Sequence, residues 1–332
     1  MEKIKNISIT NFKSIKHLEI NNCNRINVFI GMPNAGKSNI LEALGLFGML
    51  DSAKISIDNF VRFNNYDELF FEGNILEEIY VLINNVELEI TFNKASLSNK
   101  TGYYLGLNHE LKYEFNSSEF RSEIDTNSLI SKLKKYSFKE ENEYKELYNN
   151  VSLNFPFGED LGKIITIYPK LREEVNVFFK QNNLKILIEK NTNELKVFKE
   201  FTDGTVFTLP YIMIADTLQR LIFYKAAIMS NKETVLLFEE PEAHCFEPYI
   251  LEFTNSVKYD KNDNQFFIVT HSDFIIQEFL RDEESKLNTN IYLVNNVDGE
   301  TKVKLLEKGK NEDVYELGMN PFFNFETLWE NN

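Results

Sequence analysis

The sequence predicts an α/β fold with a mixed sheet and an inserted, mainly helical arm. Three observations carry that reading. The stretch Gly31-Met32-Pro33-Asn34-Ala35-Gly36-Lys37-Ser38 fits G-x-x-x-x-G-K-[ST] without a gap and lies between an apolar run and a helical pattern. Two further apolar runs, over 234–238 and 265–270, are short enough for buried parallel strands, and each ends in polar residues. Between the first motif and these runs, a stretch rich in Lys, Asn and Glu and poor in Gly breaks the pattern.

Taken in order, 4–9, 18–20 and 26–30 read as strands, the first by alternation and the last as a buried run. A helix is expected from 39 to 47 on the spacing of its apolar residues. The runs 78–83 and 86–92, separated by Asn84-Asn85, form a hairpin pattern. These elements define an N-terminal lobe over 1–92. In the expected arm, 93–205, the segment 103–115 suits a strand or hairpin edge. Residues 118–148 and 160–181 read as mainly helical, with Pro156 and Pro169 as boundaries, and 184–189 with 194–199 as a hairpin. The expected C-terminal lobe, 206–332, has a helix over 217–229, the two buried runs, a hairpin of 290–294 with 302–306 around Asp298-Gly299, and a helical tail over 312–329. Alternating βαβ units of this kind gather their functional loops at the strand C-terminal ends.

A chain of 332 residues with 43% hydrophobic content can bury a full core. Its net charge of −15 argues against broad binding to nucleic acid or anionic membrane. Cys23 and Cys245 are the two cysteines, without a C-x-x-C pair, which suits a reducing compartment and packing roles. The N-terminus lacks the apolar core of a signal peptide and no run is long enough to span a bilayer, so a cytoplasmic location is the expectation.

The first motif points to a nucleoside triphosphate. Gly31 and Gly36 allow the backbone, with Asn34, Ala35 and Asn39, to turn successive N–H groups toward phosphate oxygens. Lys37 adds a point charge for the β- and γ-phosphates, and the Ser38 hydroxyl is placed to ligate Mg²⁺. The helix that follows directs its positive end at the same anion. The run 236–238 leads into Glu239-Glu240-Pro241-Glu242-Ala243-His244. Glu239 is the expected Mg²⁺ ligand, directly or through water. Glu240 is the expected base for the attacking water, since successive side chains at a strand end diverge. His271, in Thr270-His271-Ser272, can polarise a γ-phosphate through an imidazole N–H. Arg62 reads by default as a surface residue, with a phosphate or partner contact as the alternative, and Lys132, Lys134, Lys135 and Lys139 as a solvated helix face. His17 and His109 have no evident partners in the sequence.

These motifs, with Ile9-Thr10-Asn11-Phe12-Lys13-Ser14-Ile15, resemble the ATP-binding-cassette-type P-loop NTPase heads of the RecF, SMC and OLD kind. The resemblance is to the compact AAA-labelled ATPases of bacterial abortive-infection and antiphage systems in particular, and it covers the N-terminal and C-terminal lobes. It implies a homodimer or higher homo-oligomer in which each ATP lies between one head's phosphate loop and the other's signature segment. It further implies slow hydrolysis, used as a switch for a separate effector such as a nuclease or toxin. About 60 residues follow His271, too few for an independent nuclease domain, which favours an effector on another chain.

The segment at the signature position, Tyr211-Ile212-Met213-Ile214-Ala215-Asp216-Thr217-Leu218-Gln219-Arg220, has no glycine. Asp216 with Gln219 three positions on reads as a capping box, while Thr217 can offer a hydroxyl to the opposing ATP and Arg220 a positive charge. His244 either communicates between heads or packs in its loop. Two other functions fit the same residues: a nonhydrolysing nucleotide-dependent scaffold or antitoxin-like sensor, and a RecF-like DNA-repair ATPase, which the acidic charge disfavours.

Overall fold

The computed structural model describes residues 2–50, 56–93, 102–114, 129–140, 151–180, 183–190, 192 and 194–332. In chain order the strands are β1 (Ile7–Phe12), β2 (Ile15–Ile20), β3 (Ile26–Ile30), β4 (Ile79–Ile83), β5 (Val86–Asn93), β6 (Gly102–Leu107), β7 (Glu110–Glu114) and β8 (Leu133–Tyr136). They continue with β9 (Lys185–Ile188), β10 (Leu195–Glu200), β11 (Val206–Pro210), β12 (Val235–Glu239), β13 (Gln265–Val269), β14 (Thr289–Val297) and β15 (Glu300–Leu305). The helices are α1 (Lys37–Leu50), α2 (Leu161–Ile167), α3 (Pro169–Lys180), α4 (Asp216–Ser230), α5 (Glu247–Lys258), α6 (Asp273–Arg281), α7 (Glu283–Leu287), α8 (Lys308–Glu316) and α9 (Phe325–Glu330).

The chain divides into two compact units. The first comprises residues 1–135, 234–239 and 265–332, and the second 136–233 and 240–264. The first unit is built on two six-stranded sheets, ordered β2-β1-β4-β5-β6-β7 and β15-β14-β3-β13-β12-β8. In the second of these, β14, β3, β13 and β12 run parallel, and β15 returns antiparallel to β14. All five residues of β3 and of β13 are buried, as expected of strands covered on both faces. Phe29 stacks on Tyr292 at 5.1 Å and Phe267 at 6.4 Å, and burying each such ring contributes about 1.5–3 kcal/mol. Asn27, on the same central strand, is fully buried but paired: its amide donates to Asn24 O and Phe266 O, and its Oδ1 accepts from Asn24 N.

Helix α1 is buried along every residue from Ile40 to Leu50 and packs on β1 of one sheet and β12 and β13 of the other. A helix covered on all sides carries apolar residues all round, which is why its pattern extends past the expected end at 47. The β4–β5 hairpin turns at Asn84, whose φ of 52° its side chain type tolerates. His109 gains partners through folding: its ring nitrogens lie 3.6 and 3.5 Å from Glu87 and Glu89.

In the second unit, β9, β10 and β11 form an antiparallel sheet. Helices α2, α3, α4 and α5 pack on one another. Tyr136 anchors this core: its hydroxyl donates to Leu153 O at 2.6 Å and accepts from Asn231 Nδ2 at 2.8 Å.

Two sequence expectations change. Within 118–148, residues 133–136 form strand β8 at the edge of the parallel sheet, not helix, and the stretches 118–128 and 141–148 lie outside the described residues. The expected helical tail is two helices, α8 and α9, separated by Gly318 with φ of 62° and by Pro321.

Candidate nucleotide-binding site

Parallel register sets the site. Glu239, the last residue of β12, pairs with Val269 of β13, and Val269 pairs with Phe29 of β3. The phosphate loop after Ile30, the carboxylate after Phe238 and the Thr270-His271 pair therefore leave the sheet at one edge.

The loop is shaped by its two glycines. Gly36 has φ of 94°, where a side chain is strained, and a Cβ there would lie 1.9 Å from Thr301 Oγ1. A Cβ at Gly31 would lie 2.0 Å from Val294 O, so the loop's first glycine serves close approach to β14. Met32, Pro33 and Asn34 are exposed at the tip, Asn34 with φ of 60°, and Ala35 is buried. Lys37 Nζ donates to Gly31 O and Met32 O, both at 2.9 Å, which holds the ammonium against the loop. A hydrogen-bonded series braces it from behind. Asn39 Nδ2 donates to Ser14 Oγ at 2.6 Å, Ser14 and Thr301 hydroxyls meet at 2.7 Å, and Thr301 Oγ1 reaches Ala35 O at 3.1 Å. Asn39, expected near the nucleotide, thus has its amide on the Phe12-Lys13-Ser14 turn.

Beside the loop, charges alternate in a continuous series. Lys13 Nζ lies 2.5 Å from the fully buried Glu42 carboxylate, which also accepts from Arg62 Nε at 2.7 Å. Arg62 Nη2 lies 2.9 Å from Glu239 Oε1, and Lys135 Nζ lies 3.5 Å from Glu239 Oε2. The Ser38 hydroxyl is near enough to the same carboxylate to help stabilise its charge. Burial alone would raise the Glu239 pKa. Lys135, the Ser38 hydroxyl and Arg62 outweigh it and hold the carboxyl below its ordinary value. Partial burial opposes the charge on Arg62, but Glu239 and Glu42 raise its pKa nonetheless. Burial lowers that of Lys135 against the pull of Glu239 and Glu42.

Two residues assigned to solvated surface therefore belong to the site. Arg62 keeps its side chain 68% exposed yet spans Glu42 and Glu239, while Lys135 is 5% exposed. Both are paired through contacts distant in sequence. The donor set suits a hard cation: a hydroxyl oxygen and a carboxylate, adjacent and flanked by a phosphate-type loop, match the oxygen ligands Mg²⁺ takes.

Glu240 follows with φ of 45°, a left-handed turn that redirects the chain straight after the strand. His271 is exposed and stacks on Phe322 at 6.3 Å, and Ser272 caps α6 by accepting from Ile275 N.

In the second unit, the expected capping box is absent. Ala215 is the N-cap residue of α4 and Asp216 lies in the first turn, where its Oδ2 accepts from Arg220 Nε at 2.8 Å. Gln219 turns back to Ile212 O and Ile214 O. The helix begins one residue earlier than a capping Asp216 requires, which frees that carboxylate for the residue one turn on. Thr217 Oγ1 donates to His244 O at 2.9 Å, within this unit.

Comparisons with known proteins agree with this architecture. The fold resembles an SMC head bound to the C-terminal winged-helix domain of ScpA, with a TM-score of 0.57, 16% identity and coverage of 93% of this chain and 99% of that one. An SMC head with an extended coiled coil, bound to the ScpA C-terminal domain derived from Pyrococcus furiosus, gives the same TM-score at 14% identity, covering 96% and 99%. The DNA replication and repair protein RecF of Renibacterium salmoninarum is 31% identical over 28% of this chain, which spans 23% of that protein's length. A protein of Helicobacter pylori named ATP/GTP phosphatase is 22% identical over 94% of this chain and 97% of its own. Among the described residues no helix is long and apolar enough to cross a membrane. Residues 26–277 match the family of AAA domains described as putative AbiEii toxin, type IV toxin–antitoxin system, and the chain belongs to that family.

Proposed function

We propose that this chain is an ATP-driven switch, and the observation that carries the reading is the parallel register of β3, β13 and β12, which brings the phosphate loop and the Glu239 carboxylate to one edge of the sheet. The Gly31–Ser38 backbone and Lys37 bind the triphosphate, while Ser38 and Glu239 would hold Mg²⁺. A Mg²⁺ held by these residues would supply positive charge to offset that of the phosphates. Glu240 takes a proton from water, the water oxygen bonds to the γ-phosphorus, and the bond to the bridging oxygen breaks to release ADP. His271 donates a hydrogen bond to the transferring group. Two copies pair head to head, each ATP meeting the Thr217 end of the other's α4, and hydrolysis lets them part. The part of the expected arm that lies in the second unit, 136–205, passes this motion to a separate effector. The family description, a putative toxin of a type IV toxin–antitoxin system, supports a toxin-related complex, and an antiphage role in the cytoplasm belongs to the same proposal.

Slow turnover follows from α4, which brings no glycine and an acidic first turn to the opposing phosphate. That same feature favours a second reading, a nucleotide sensor that does not hydrolyse. Mass measurement with and without ATP and Mg²⁺, beside phosphate release, separates the two. The switch gives slow release in wild type, and Glu240→Gln gives none with a longer-lived dimer. The sensor gives no release from either. A dimer insensitive to ATP in both proteins contradicts the pairing itself. Salt-sensitive DNA binding that rises with ATP instead points to a RecF-like role.

A further inference from the structure

We propose that Lys135 is a resident cation of the metal position, which keeps Glu239 occupied so that a divalent ion enters only together with a polyphosphate. This rests on the reading of Glu239 as a metal ligand.

A buried lysine is costly unless it is paired, so its placement calls for a specific cause. Among the described residues Lys135 pairs with the Glu239 carboxylate at 3.5 Å and Phe60 O at 2.9 Å. Its stem also requires room in the core. Gly45 lies mid-way along the buried helix α1, where glycine costs about 1 kcal/mol relative to alanine, and a Cβ there would lie 3.2 Å from Lys135 Cδ. One of the two glycines of this helix, Gly45, thus lies beside the lysine stem. Strand β8 fixes the other end, holding Lys135 at the sheet edge next to β12.

The two cations on Glu239 differ in kind. Arg62 is 68% exposed and can swing into solvent, whereas Lys135 is 5% exposed and has no such path. A metal ion approaching Glu239 alone can displace Arg62 but still meets the fixed charge of Lys135. That repulsion is weakly screened because the group is buried. When the ion arrives with a triphosphate, the phosphate oxygens supply the negative charge that offsets it. Lys135 is therefore a positioning residue that acts through Glu239, coupling metal entry to nucleotide.

The test uses Mn²⁺ as the probe, read by the loss of its free EPR signal, in the full-length protein with and without ADP. Lys135→Gln removes the charge but keeps an amide donor for Phe60 O. The expected result is that nucleotide-free Lys135→Gln binds Mn²⁺ about tenfold or more tightly than wild type, with a smaller gain for Arg62→Gln, whose charge solvent already screens. Lys135→Met, close in stem shape, gives the same direction if charge is the cause. With ADP present the difference between wild type and either Lys135 variant shrinks. Equal Mn²⁺ affinity in wild type and both Lys135 variants, each folded by circular dichroism, overturns the inference, and so does weaker binding in them. ADP that fails to bind wild type at all overturns the proposed function instead, so the two failures read differently.

Discussion

Two helices meet the proposed mechanism at their N-termini, and they are built in opposite ways. Helix α1 starts directly after Gly36, with φ of 94°, and opens with Lys37 and Ser38. Helix α4 starts after Ala215 and opens with Asp216 and Thr217, one paired to Arg220 and the other bonded to His244 O. The first presents cation, hydroxyl and backbone to an anion, whereas the second has placed a carboxylate there and committed its hydroxyl locally. A helix dipole favours anions at both starts. What separates the two is the side chains, so in the proposed mechanism binding and hydrolysis rest on different parts of the molecule. Tight nucleotide capture can coexist with slow turnover.

The largest effect that sharpens this contrast is on stability. Glu239→Ala strands Lys135 in the core and costs about 3–5 kcal/mol in denaturant unfolding. Asp216→Ala, which breaks a partly exposed pair, costs under about 1 kcal/mol in the same assay. Equal costs would remove the distinction between a built site and a surface pair.

Acid–base behaviour contrasts in sign. Glu239 has a depressed pKa when folded, so its contribution is present above the ordinary carboxyl value of 4.5 and is lost as pH falls through the folded value. Asp160, in the second unit, is raised by burial, with the backbone hydrogen bond from Asn154 only partly opposing this. Its contribution is present at acid pH and lost as pH rises through the folded value. Unfolding free energies across the acid range should therefore show Glu239→Gln losing stability relative to wild type as pH rises and Asp160→Asn gaining it. Slopes of the same sign in both variants would contradict these assignments.

A smaller effect probes α4 directly. Asp216→Asn keeps the shape, costs about 0.5 kcal/mol through the lost dipole and ion-pair terms, and tightens ATP-dependent pairing severalfold by removing a charge facing phosphate. Pairing unchanged, by analytical ultracentrifugation with ATP, would place this helix start away from the nucleotide. The smallest effect concerns the thiols. Burial pushes Cys23 up to about 12 and Cys245 up to about 11. Both should alkylate far more slowly at pH 8 in the native than in the denatured chain. Rapid native labelling of either would contradict that protection.

Much of the site is legible in the sequence because its parts are local. The phosphate loop, the strand ending in Glu239 and the strand ending before His271 are each contiguous, and a parallel sheet aligns such strand ends without further information. Lys135 and Arg62 are not legible for the converse reason. Leu133-Lys134-Lys135-Tyr136 is a four-residue strand whose lysines suggest a solvated helix. The partners that make burial possible, Glu239 and the Phe60 carbonyl, lie far along the chain. Alternation of Leu133 and Lys135 with Lys134 was the available signal, and it is too short to outweigh charge. The α4 start misled through a spacing, Asp216 to Gln219, that fits a cap but is used by Arg220.

The central claim is that the edge formed by Gly31–Ser38 and Glu239 is a nucleotide site. Calorimetric titration of ATP with Mg²⁺ into wild type and Lys37→Ala tests it most directly. Saturable binding of one nucleotide per chain is expected in wild type, with a loss of about a hundredfold or more in Lys37→Ala, as removal of a charged phosphate contact implies. Equal affinity in both proteins would contradict it.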